Sequence, residues 1–192
     1  MGKTTVSMGL MSLFENVSPF KVGPDYIDTT FHQFVTGNKS YNLDLFMMGE
    51  EGVKYSFYKH HKGISIVEGV MGLYDGIDHS LDNNSSAHLA RVLDLPVILI
   101  VSGGGKSTSI AAEVLGYKML DSRVKIAGVI INRTTEAMYK HYKEAIEKYT
   151  GVECIGYLPK DESLSVSSRH LGLLQAEEID GLREKSKHLK EI

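Results

Sequence analysis

The sequence predicts an α/β fold, a three-layer domain built on a parallel sheet, and three observations carry that prediction. Short apolar runs alternate with longer amphipathic ones along the chain. Several short runs are apolar throughout, such as 96–101 (PVILIV) and 126–131 (IAGVII), the pattern of strands covered on both faces. The glycines, 19 in 192 residues, gather where apolar runs end, as tight strand-to-helix turns and close backbone approach to a ligand require.

Read in order, residues 4–15 form a helix and 19–22 a short strand. A helix over 26–35 is stopped by Gly37, and an amphipathic helix covers 50–61. The run ISIVE at 64–68 is a buried strand ending in a carboxylate, followed by a helix over 86–93. Strands at 96–101, 126–131 and 153–158 alternate with helices at 107–120 and 136–149. Strands separated by helices of about 10–15 residues imply parallel pairing through right-handed crossovers. Sheets of this kind bind ligands beyond the carboxyl ends of their strands. The loops after Val22, Glu68, Val101 and Ile131 are therefore expected to meet at one site. Residues 1–175 are assigned to this domain, and 176–192 to a charged helical tail or linker.

Composition narrows the function classes. A net charge of −3 carries no global signature of nucleic-acid binding. No apolar run approaches the roughly 20 residues of a membrane helix, and no basic-then-apolar leader points to secretion. The single cysteine, Cys154, has no partner for an internal disulfide, which fits a reducing cytoplasm. It lies in the apolar run ECIGYL with no base beside it, so it reads as a buried structural thiol. His60 and His61 end a helix, where positive charge is favourable, and also read as structural. The eight histidines and one cysteine show no metal-ligand spacing.

Four segments carry chemistry. Gly2-Lys3-Thr4-Thr5 opens a helix and matches the last part of a phosphate loop. There, backbone N–H groups cradle phosphates, the lysine neutralises oxygens and the hydroxyl of Thr4 ligates Mg²⁺. The alternative is a solvated terminal lysine. Second, Lys21 at a strand end is followed by Gly23-Pro24 and by Asp25 and Asp28 flanking Tyr26. Lys21 is suited to a phosphate or carboxylate, Asp28 to a metal and Asp25 to substrate; the alternative for either aspartate is a helix cap. Third, Glu68 is followed by Gly69, Gly72 and Gly76. A carboxylate after a buried strand suits Mg²⁺ facing phosphates, since an unpaired acid there would be costly. The alternative is an acid paired with a lysine. Fourth, Asn132 and Arg133 follow an apolar strand, where an amide offers a base both donor and acceptor; the alternative is a turn. Gly103-Gly104-Gly105-Lys106-Ser107 either touches substrate or caps a helix. Arg169-His170-Leu171-Gly172-Leu173 either binds an acidic substrate or docks the tail.

Taken together, FKVGPDYID (20–28), VEGVMGLYDG (67–76), GVIINR (128–133) and RHLGL (169–173) resemble the cobyrinic acid a,c-diamide synthase family of phosphate-loop ATPases, from Gly2 to about Leu174. The resemblance implies a cytoplasmic, ATP- and Mg²⁺-dependent ligase of cobalamin biosynthesis. Acetate carboxylates a and c of cobyrinic acid would be amidated through acyl phosphates. It implies Lys3, Lys21 and Asp28 in catalysis. Gly2, Lys3, Thr4, Thr5, Asn132 and Arg133 would hold ATP, with Asn132 facing adenine. Asp25, Tyr26, Gly69 and Gly72 would meet the corrinoid, and Thr4, Asp28 and Glu68 the metal. It also implies a first strand and half a phosphate loop ahead of Met1, and a glutaminase (glutamine amidotransferase) domain supplying ammonia; this sequence contains neither. A homodimer is compatible with it, and neither nucleic acid nor membrane is an expected partner. Ser167-Ser168 stand where the family has an acidic residue.

Alternatives are the same chemistry on nickel sirohydrochlorin, a partitioning-type ATPase switch, and an inactive truncated fragment. The switch reading calls for an aspartate in place of Glu68.

Overall fold

A computed structural model of the chain describes residues 2–160. The elements are α1 (Lys3–Ser12), β1 (Val17–Val22), α2 (Ile27–Thr36), β2 (Tyr41–Leu43), α3 (Leu45–His60) and β3 (Ile64–Glu68). They continue with α4 (Ser86–Val92), β4 (Val97–Ser102), α5 (Ser109–Leu120), β5 (Ile126–Thr134), α6 (Glu136–Thr150) and β6 (Cys154–Pro159). The described strands pair in parallel throughout, in two sheets of three ordered β2-β1-β3 and β4-β5-β6. The α/β class with parallel strands is as expected. Within α4 the described residues divide into two compact units, 3–89 and 90–160, with Gly2 grouped with the second. The expected tail and the Arg169–Leu173 segment lie outside the described residues. Among the described residues no helix is long and apolar enough to cross a membrane.

In the first unit every residue of β1 is buried. Phe20 is fully enclosed, with the Phe57 ring 5.1 Å away and Tyr41 6.3 Å away. Burying a side chain of this size stabilises the fold by about 1.5–3 kcal/mol. Pro19 lies in the central strand, yet pairing with β2 starts only at Phe20↔Tyr41. At Pro19 the strand is therefore an edge on that side, where a residue without an N–H is tolerated.

Two features depart from expectation. β2 was not foreseen, and α3 begins at Leu45 rather than near Glu50, because the Asp44 carboxylate accepts from the N–H groups of Phe46 (2.8 Å) and Met47 (3.1 Å) and caps an extra turn. Gly49, at φ 65° and ψ 174°, breaks that turn from the rest of the helix, a conformation that favours glycine. His60 Nδ1 bonds the Ser56 carbonyl (2.8 Å), and His60 stacks on Tyr41 at 3.6 Å.

In the second unit Val129, Ile131, Ile110, Val114 and Ile146 form the buried centre. Tyr142 donates its hydroxyl hydrogen toward the carbonyls of Gly103 (2.6 Å) and Lys106 (3.0 Å), which ties down the GGGK loop. Cys154 is buried at 1% exposure, and burial pushes its thiol up to about 11. The strands 64–68 and 97–102 are less covered than their sequences imply: Ile64 and Ile98 are each 44% exposed. Among the described residues each belongs to the outer strand of its sheet, with a paired strand on one side only.

Candidate functional site in the first unit

The site grows from one register. β1 and β3 pair so that Lys21 stands beside Glu68, at the carboxyl ends of both strands. Gly23, at φ 81°, then turns the chain, donating its N–H to the Leu43 carbonyl at 2.9 Å. The Asn42 amide donates to the carbonyls of Gly23 (2.7 Å) and Asp25 (2.8 Å), which fixes the turn. Asp25 Oδ1 accepts from the N–H groups of Ile27 (2.9 Å) and Asp28 (3.1 Å), so Asp25 caps α2. Asp28 in the first turn of α2 thereby faces back toward Lys21.

The result is a buried charge cluster. Lys21 Nζ lies 2.6 Å from Asp28 Oδ2, 3.3 Å from Glu68 Oε1 and 3.9 Å from Asp25 Oδ2. It also donates to the Gly69 carbonyl at 3.3 Å. Thr4 Oγ1 reaches Glu68 Oε1 at 2.9 Å and Asp28 Oδ1 at 3.4 Å. Lys3 Nζ donates to the Met71 carbonyl at 2.7 Å. Hydroxyl and carboxylate oxygens, hard donors that suit Mg²⁺, thus converge beside a cationic group, the Lys21 ammonium. Among the described residues no group of three His, Cys, Asp or Glu side chains is arranged to hold a metal by itself.

The charges shift one another. Burial opposes the Lys21 charge, but Glu68 and Asp28 outweigh it and hold its pKa above that of an ordinary lysine. Burial and then Glu68 push the Asp28 carboxyl up, against the pull of Lys21. Glu68 is burdened most by burial, yet the bond from His32 and the Lys21 charge bring it below the usual carboxylate range. Burial, then Lys21, lowers Lys3. The surroundings thus favour the charged form of Glu68 and oppose that of Asp28.

The loop after β3 is drawn tight. The Gly72 N–H donates to Asp75 Oδ2 at 2.7 Å, and a Cβ at Gly72 would lie 2.5 Å from that oxygen. A Cβ at Gly69 would lie 3.0 Å from Ser86 Oγ. Tyr26 is 69% exposed, and Thr5 is half-buried on α1.

Of the residues singled out in the sequence, the structure brings Lys3, Thr4, Lys21, Asp25, Asp28, Glu68 and Gly69 together in the first unit. Asn132 and Arg133 belong to the second unit, inside β5, which runs on to Thr134. Asn132 is 7% exposed, and a Cβ at Gly2 would lie 2.2 Å from its Nδ2. Arg133 has φ 59°.

One participant was missed. His32 is fully buried, and its Nε2 lies 2.7 Å from Glu68 Oε2. The only sequence signal was its place one turn after Asp28 on the same helix face.

Residues 38–168 match the family profile described as an AAA domain. Over its whole length the chain is 71% identical to a protein of Fusobacterium nucleatum subsp. nucleatum named cobyrinate a,c-diamide synthase, covering 44% of that protein. Proteins of the same name are 49% identical in Caldanaerobacter subterraneus subsp. tengcongensis, over 98% of this chain and 43% of theirs, and 49% identical in Methanobrevibacter smithii, over 93% and 41%. The chain spans less than half the length of these curated relatives. No solved structure matches it.

Proposed function

The chain belongs to the AAA domain family, and on that premise we propose that it is the ATP-using, carboxylate-activating part of a cobyrinate a,c-diamide synthase. The observation that carries this reading is the convergence of Thr4, Lys21, Asp28 and Glu68 at the carboxyl ends of β1 and β3, in a chain whose relatives bear that name.

Phosphoryl transfer is mainly positioning and charge neutralisation. Thr4, Glu68 and Asp28 are the residues that would hold Mg²⁺, whose chemistry is to draw negative charge off the phosphates. Lys3 and Lys21 supply cations toward the transferring group and the substrate carboxylate. Asp25 and Tyr26 border the turn where an acetate side chain would enter, with Gly69 and Gly72 offering backbone contact. Gly2 and Thr5 flank Lys3 and Thr4 in the nucleotide-binding segment, and Asn132 and Arg133 are assigned to the adenine end. A substrate carboxylate oxygen bonds the terminal phosphorus of ATP as the phosphorus–oxygen bond to ADP breaks. The lone pair of ammonia then forms the C–N bond, phosphate leaves and the nitrogen sheds a proton. The same sequence follows at the second side chain. The single, buried cysteine supports a cytoplasmic setting.

The test supplies cobyrinic acid, Mg-ATP and ammonium, so that no other nitrogen source is needed. Mass spectrometry is expected to show monoamide and then diamide in step with ADP release. ATP turnover without an amide product would sink the substrate assignment. Lys21→Ala is expected to cut product formation by about 100-fold or more, the scale of losing one preorganised charge at a reacting group.

A further inference from the structure

The two oxygens of Glu68 have separate partners. Oε1 meets Thr4 Oγ1 at 2.9 Å and Lys21 Nζ at 3.3 Å, whereas Oε2 meets His32 Nε2 at 2.7 Å. His32 is fully buried, and its other ring nitrogen, Nδ1, lies 3.0 Å from Ser40 Oγ. An ionised carboxylate only accepts hydrogen bonds, so Nε2 carries the hydrogen and donates it whatever the charge of the ring. The ring is therefore held from both sides, and it holds Glu68 in turn.

Without such a donor, the glutamate side chain would be free to turn its carboxylate. It would then exchange the oxygen offered to Thr4 for the other, or swing both toward Lys21. We propose that His32 is a positioning residue that locks Glu68 so that Oε1 stays directed at Thr4, where the metal would be held. This inference rests on the reading of Glu68 as a metal-holding carboxylate. Hydrogen bonds behind a ligating carboxylate commonly set the affinity of the site, and a buried bond of this kind is strengthened by the absence of competing water. His32 touches no reacting group; its effect passes through Glu68.

Two substitutions separate the two bonds of the ring. His32→Gln places an amide nitrogen where Nε2 stands and keeps a donor toward Glu68. His32→Asn places its amide near Nδ1, keeps the Ser40 contact and falls short of Glu68. ATP binding is titrated against Mg²⁺ in the unaltered chain and both variants, at a temperature where melting curves show each folded. His32→Asn is expected to need about 10–100-fold more Mg²⁺ for half-maximal binding, the usual cost of losing such a support, and His32→Gln only about 3-fold more. Equal Mg²⁺ dependence in folded His32→Asn and the unaltered chain overturns the proposal, as does equal impairment of both variants. Nitrogen-15 NMR of the metal-free, unaltered chain gives a second measurement independent of variant folding. A hydrogen on Nε2 of His32 is expected, and a bare Nε2 overturns the proposal. If the unaltered chain shows no Mg²⁺-dependent nucleotide binding, the functional reading fails in the parent itself, and the positioning role falls with it.

Discussion

Two charged centres, one in each unit, show what separates an acid that builds from an acid that works. In the second unit Asp121 follows α5 and is enclosed by two arginines. Its Oδ1 accepts from the Arg123 backbone N–H (3.0 Å) and Nε (2.9 Å), and its Oδ2 from Arg123 Nη2 (3.0 Å) and from Arg91. In the first unit Lys21 faces three carboxylates, with Asp28 and Glu68 inside hydrogen-bonding range. Both centres are satisfied, since among the described residues no buried side-chain polar atom lacks a partner. They differ in charge balance and in place. Asp121 has more cation than acid around it and sits beyond a helix end. The Lys21 cluster has more acid than cation and sits where strands end, a place suited to ligands. Surplus acid beside the Lys21 ammonium leaves room for a further cation.

Removing the central charge should break the contrast most. Lys21→Met leaves Asp28 and Glu68 enclosed without their cation and should cost about 3–5 kcal/mol in urea unfolding without metal; Mg²⁺ should restore part of the loss. Asp121→Ala leaves two arginines facing each other and should cost about 2 kcal/mol, with ATP affinity and its Mg²⁺ dependence unchanged. A change in nucleotide affinity in that variant would show that the second centre is more than structural.

Acid titration sharpens the comparison through sign. The bonds from Arg123 hold the Asp121 carboxyl below its usual value of 3.8, against the cost of burial. Its stabilisation is therefore complete above that value and is lost as pH falls through the depressed one. Asp28 has the opposite sign, because burial and Glu68 raise it above 3.8. The folded protein then binds that proton more tightly than the unfolded chain, so acidification toward the raised value adds stability. Melting temperature followed from pH 7 downward, without metal, should show Asp28→Asn at least as stable as the parent at pH 7. Asp121→Asn should flatten the acid limb. A destabilised Asp28→Asn at pH 7 would mean that the Lys21 pairing outweighs burial.

Much of this was readable in the sequence. The strand Ile64–Glu68 falls on the residues expected, because an apolar run closed by a single acid has few other readings. Gly37 stops α2 in the left-handed conformation, at φ 69°, as its position implied. What escaped was short or distant. β2 has three residues, too few for periodicity to register. The first turn of α3 carries exposed Phe46 and Met47, which blur an amphipathic pattern. His32 binds Glu68 from 36 residues away, and only the register of β1 on β3 brings that glutamate within reach of α2. Spacing along one chain marks helix faces and strand ends, but strand register is a tertiary fact.

Cys154 offers an internal clock. It is the only thiol in the sequence, it lies in the second unit, and its pKa of about 11 against an ordinary 9.0 makes native alkylation at pH 8 roughly 100-fold slower than in the unfolded chain on thiolate fraction alone. Alkylation therefore times the opening of one half of the molecule and is blind to the other. Paired with a nucleotide-binding signal from Lys3 and Thr4, it would reveal whether the two halves come apart together or in turn.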